Sequence, residues 1–66
     1  MISLRIKELR EEQKISQDTV AKAIGVNYRT ISQYERGINE PDIETIKKLC
    51  AFFQVTAGYL LGIEDI

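Results

Sequence analysis

A chain of 66 residues, 44% hydrophobic and 29% charged, holds one small domain near the lower size at which a core forms without covalent or metal help. Its net charge is −1, with no His and one Cys, which excludes clustered Cys/His zinc sites, an internal disulfide and any His-based catalysis. The longest purely apolar run, Leu49 to Phe53, is far too short to cross a bilayer, and the opening Met-Ile-Ser-Leu-Arg lacks the apolar stretch of a secretory signal, so a reduced cytoplasmic setting is the expectation.

The apolar spacing is helical along the whole chain, with one proline (Pro41), no repeat, no low-complexity segment and no linker. Ile2, Ile6 and Leu9 fall on one face of a first helix ending near Gln13. Ser16 is a good N-cap for a second helix from Gln17 to about Ile24, with Asp18 in its first turn. Thr19 stands where a full capping box would have Glu or Gln. That helix buries Val20, Ala21 and Ile24 and ends at Gly25, a residue able to take the left-handed conformation. Val26 plugs the turn, Asn27 caps a third helix from Tyr28 to Glu35, and Gly37 stops it. Beyond Pro41, Asp42 caps a fourth helix with the inner stripe Ile43, Ile46, Leu49, Cys50 and Phe53. Thr56 caps a last short turn through Tyr59, Leu60 and Leu61 before Gly62. The fold class is all-α: five short helices around one core, with residues 1–66 forming a single domain.

The second and third helices, joined by a three-residue turn that contains Gly25, make a helix-turn-helix spanning about residues 17–35. A helix pair alone is a weak signal. Its specific part is the spacing: Gln17 opening the first helix, Gly25 in the turn, Ile31 inward and polar residues outward on the second. The stretch "ISQDTVAKAIGVNYRTISQYERGINEPDIETIKKLC" resembles the DNA-binding domain of phage repressors and Cro-type proteins, the XRE-like helix-turn-helix family. Ser16-Gln17, Ala21, Gly25, Ile31, Glu35-Arg36-Gly37 and Pro41 carry the resemblance, which runs from about Ile2 to Leu61.

The resemblance implies a lambda-repressor-like fold and a transcriptional regulator, a repressor in the first instance, that binds a palindromic operator as a homodimer. It places Tyr28, Arg29 and Gln33 at base-reading positions, with Thr30 as a neighbour touching a base methyl or a phosphate. The chemistry agrees, since Arg bonds guanine O6 and N7 bidentately and Gln does the same with adenine N6 and N7. Tyr28 departs from the small or amide residue common there, leaving stacking on a thymine methyl or a bond to phosphate both open. Gln17 matches a phosphate-binding position, and Arg10 and Glu35 match an internal ion pair between first and third helices. Asn27, Arg36 and Asn39 flank the reading helix as candidate backbone clamps, with Arg5, Lys14 and Lys22 as weaker ones.

Charge is unevenly placed. Residues 1–36 carry seven Lys and Arg against five Asp and Glu, whereas residues 37–66 carry two against five. A weakly basic half suits one face docked on DNA, and the low net charge implies weak non-specific binding. The segment 56–66 is a candidate dimerisation surface through Tyr59, Leu61, Ile63 and Ile66, with burial inside the monomer as the competing account. Tyr34 and Cys50 are expected in or at the core, and Lys47 and Lys48 in solvent. No cofactor is implied. No nucleophile setting or phosphate loop points to an enzyme. Two other roles stay open: a protein-interaction module such as an antitoxin, favoured by the acidic second half, or the DNA-binding part of a longer regulator.

Overall fold

The computed structural model describes residues 5–64, and these contain five helices and no strand: α1 (Ile6–Glu12), α2 (Gln17–Ile24), α3 (Tyr28–Glu35), α4 (Ile43–Phe53) and α5 (Ala57–Leu60). Ile2 and Ile66 lie outside the described residues.

Four of the five starts are side-chain caps. Ser16, Asn27, Asp42 and Thr56 are all extended at the backbone, and their side-chain oxygens accept from the N–H of Thr19, Arg29, Thr45 and Tyr59. Each removes one of the orphan donors at a helix start, worth about 0.5–2 kcal/mol. The incomplete capping box is closed another way, by a 3.0 Å hydrogen bond between the hydroxyls of Ser16 and Thr19. Helix ends use the left-handed region: Gly25 closes α2 at φ 77° and Gln54 closes α4 at φ 58°. Lys14, in the connection after α1, is also left-handed at φ 57°, a role its sequence context does not announce.

Ile6, Leu9, Val20, Ala21, Ile24, Ile31, Tyr34, Leu49, Phe53 and Leu60 form one buried cluster to which every helix contributes. Ile15, Val26, Ile46, Cys50, Phe52, Val55, Tyr59 and Leu61 are half-buried around it. Burial is uneven along α4. Ile43 is 71% exposed, which corrects its place on the inner stripe. At 100° per residue it stands roughly 80° from Phe53, the centre of the buried face, and it occupies the first turn, beyond the edge of the core. The molecule measures 27 × 24 × 19 Å. No helix among the described residues is long and apolar enough to cross a membrane.

Candidate nucleic-acid interface

Helix α3 is held from beneath. Ile31 is fully buried and Tyr34 nearly so, one turn apart on the same face. Burial pushes the Tyr34 phenol above its ordinary range, as a hydroxyl at a core edge should be. Measured round the helix from Ile31, Arg29 and Gln33 stand roughly 160° and 200° away, Arg29 opposite the buried face and Gln33 nearer its Tyr34 edge. Arg36, which caps the C-terminus of α3 and keeps near-helical backbone angles, falls on the same outward side. Tyr28 lies off that line but is 48% exposed, and the guanidinium of Arg29 sits 6.0 Å from the centre of its ring. Thr30 is half-buried at the other margin. Arg29 is thus exposed in the first turn, and Gln33, one turn on, is half-buried.

The underside is tied down by a polar network. Arg10 donates from Nε to Glu35 Oε2 at 2.8 Å and from Nη2 to Glu35 Oε1 at 3.2 Å. It also donates from Nη1 to the carbonyl of Ile15 at 3.1 Å. Gln17 Nε2 donates to the same Glu35 Oε1 at 3.1 Å. These contacts hold the Arg10 guanidinium above its usual value. They also link α1, the α1–α2 connection and the start of α2 to the end of α3. Glu35 therefore presents a neutralised carboxylate rather than a charge facing a polyanion. Gln17, singled out for phosphate, spends one amide N–H on Glu35 and keeps the other.

Of the flanking residues, Asn27 is occupied as the α3 cap through its carbonyl oxygen, leaving its amide nitrogen free to donate outward. Lys22 lies 3.1 Å from Asp18, one turn back on the exposed face of α2, in a solvent-screened pair. Asn39, in the loop after α3, engages both ends of its amide: Glu40 N–H donates to Oδ1 at 3.1 Å, and Nδ2 donates to Gln33 Oε1 at 3.5 Å. Sequence reasoning placed Asn39 beside the reader but missed this contact, since nothing in a Gly-containing loop states which side chains will face each other.

The candidate dimer segment divides. Tyr59 and Leu61 pack against the core, and the Arg5 guanidinium covers the Tyr59 ring at 4.4 Å. Ile63 is 78% exposed.

A polar, outward-facing short helix on a buried scaffold, preceded by a capped helix and a glycine turn, is the helix-turn-helix arrangement. Comparison with known proteins agrees with it. The chain is 39% identical over 62 residues to the cryptic phage CTXphi transcriptional repressor RstR of Vibrio cholerae, covering 94% of this chain and 56% of that protein. It is 32% identical over 62 residues to the transcriptional regulator ImmR of Bacillus subtilis, covering 94% of this chain and 49% of the relative. The chain thus spans about half the length of these relatives. Among solved structures, the P22 c2 repressor in complex with a synthetic operator superposes with a TM-score of 0.85 at 37% identity, covering 91% of each chain. The helix-turn-helix family model HTH_3 matches residues 6–60, and the chain belongs to that family.

Proposed function

We propose that this domain reads double-stranded DNA for a transcriptional regulator, most simply a repressor, with α3 in the major groove. The observation that carries this is the opposition of Ile31 and Tyr34 beneath to Arg29 and Gln33 above on one short helix. Its likeness to a repressor solved on operator DNA supports it. In this reading Arg29 bonds a guanine edge, and Gln33 reads the next one or two base pairs. Tyr28 lends an apolar edge, and Thr30 contacts a methyl or a phosphate. Gln17, Asn27 and Arg36 supply donors to the flanking backbone, which fix register without carrying sequence information.

One copy, 27 Å in its longest dimension, is smaller than the roughly 34 Å between successive major grooves on one side of a duplex. A pair of copies about a twofold axis would cover two half-sites and require a palindromic operator. Exposed Ile63 is the described side chain most available to such a pairing from the 56–66 segment.

The test is selection from a pool of randomised duplexes at moderate salt, repeated with Arg29→Ala. A recovered twofold motif with half-sites about one helical turn apart, relaxed at one position per half-site in the variant, supports the reading. An unenriched pool overturns it and leaves the domain as a scaffold for protein contact.

A further inference from the structure

The geometry points to Asn39 as the residue that decides which bases Gln33 accepts, by fixing which end of the Gln33 amide faces the groove. This inference rests on the DNA-reading role proposed above and deepens it.

The orientation is set in two steps that start from the backbone. Glu40 N–H can only donate, and it meets the Asn39 side chain at 3.1 Å, so the atom facing it must be the acceptor Oδ1. With its oxygen so placed, Asn39 turns its Nδ2 toward Gln33. That nitrogen can only donate, so the near atom of Gln33 is Oε1, at 3.5 Å. Reversing Gln33 alone would set two NH2 groups face to face. Reversing Asn39 alone would set two carbonyls face to face and break the bond from Glu40. The long second contact adds little stability, but its alternatives are repulsive, and repulsion is what selects a flip state.

Gln33 is consequently presented with its oxygen turned toward Asn39, one lone pair engaged, and its Nε2 end turned away. A Gln that reads adenine needs the opposite balance, with its oxygen accepting from N6 while its nitrogen donates to N7. An amide that leads with its donor end suits bases that offer acceptors: guanine through O6 and N7, or thymine through O4. Asn39 is a positioning residue in this scheme and need not touch DNA. It reaches the reading helix because Gly37, left-handed at φ 72°, turns the chain back along the end of α3.

The test exploits a single-atom change. In Asn39→Asp, one carboxylate oxygen still accepts from Glu40 N–H, while the other replaces the donor that faced Gln33. The Gln33 amide must then reverse to donate to it, presenting its oxygen to the groove, where adenine N6 and cytosine N4 are the donors. Selection from randomised duplexes is run with the unaltered protein and with Gln33→Ala, Asn39→Asp and Asn39→Ala. Gln33→Ala identifies the base pair that Gln33 reads. At that pair the unaltered protein should prefer guanine or thymine as the contacted base by about fivefold, the worth of one hydrogen bond. Asn39→Asp should change the preferred pair there and nowhere else, and Asn39→Ala should flatten the preference. The added negative charge will weaken binding to every sequence alike, so preference rather than affinity is read. A motif in which both Asn39 variants keep the original base at that pair overturns the inference while leaving the DNA reading intact. An unenriched pool with the unaltered protein overturns the DNA reading, and the inference falls with it.

Discussion

Arg10 and Glu35, on the first and third helices, meet through two side-chain hydrogen bonds that use both carboxylate oxygens, with only 5% of the Glu35 side chain and 15% of the Arg10 side chain exposed. Gln17 completes the shell around Glu35, and no buried side-chain polar atom among the described residues lacks a partner. A charge pair this enclosed is costly to break from one side, because the surviving Arg10 would keep only its bond to the Ile15 carbonyl and limited contact with solvent.

Replacing Glu35 alone by Ala should therefore destabilise the domain by up to about 3 kcal/mol, the low end for a buried pair because Arg10 keeps its bond to the Ile15 carbonyl. Replacing both partners together, Arg10→Met with Glu35→Leu, should recover most of that loss, since a buried ion pair exchanged for apolar packing is often neutral. Urea denaturation of the three proteins measures it. A single variant as stable as the parent would show that the pair does no structural work.

Gly25 calls for a different prediction, because its φ of 77° is unfavourable for a side chain while the space around it is empty. Gly25→Ala should cost about 1–2 kcal/mol, the backbone penalty alone, with no added steric term. A melting temperature lowered by several degrees, with helical content and DNA binding retained below the transition, is the expected result.

Lys14 presents the mirror case, a side-chain-bearing residue already left-handed at φ 57°. Lys14→Gly should raise stability by up to about 1 kcal/mol, since relief of the backbone strain outweighs the entropy that glycine adds to the unfolded chain. An upward shift in melting temperature is the readout.

Asp42 makes stability pH-dependent at the acid end. The Thr45 hydroxyl and backbone N–H both bond its carboxylate and hold it below the ordinary aspartate value. A depressed folded value means the ionised cap favours the native state at neutral pH, and the benefit is lost as pH falls through that value. Asp42→Asn keeps a capping oxygen but cannot titrate, so its stability profile should be flatter below pH 4 than that of the parent. Parallel acid-melting curves for the two proteins would contradict this.

Arg29 and Arg36 share a face but should differ in kind when removed. Arg29→Ala should cost about 1–3 kcal/mol on the preferred site and relax one base position. Arg36→Ala should weaken binding to all sequences uniformly and reduce the slope of log affinity against log salt by about one. Titrations at three salt concentrations on a selected and a scrambled duplex separate the two.

What could be read in the sequence follows the range of each interaction. The caps at Ser16, Asn27, Asp42 and Thr56 were legible because each bonds a backbone N–H two or three residues on, so the signal lies within one turn. Arg10 with Glu35 is 25 residues apart, and only family resemblance, not any local rule, brought the two together. The contacts of Gln17 with Glu35 and of Asn39 with Gln33 were not legible, since each depends on how a turn aims two polar side chains at one another. Ile43 was misplaced because a stripe in sequence fixes the angle round a helix but not where the facing core stops.

The N–H of Arg5 donates to the carbonyl of Leu60 at 3.0 Å, and Leu60 is itself fully buried in the cluster that contains Ile6. The start of α1 is thus anchored on α5. During synthesis, which takes roughly 3–13 s for a chain this long, the nascent polypeptide carries its reading helix from midway but lacks the residue that closes the core. A ribosome-bound chain stopped before Leu60 should remain sensitive to protease and blind to DNA, and one extended far enough for Leu60 to leave the exit tunnel should become resistant in a single step.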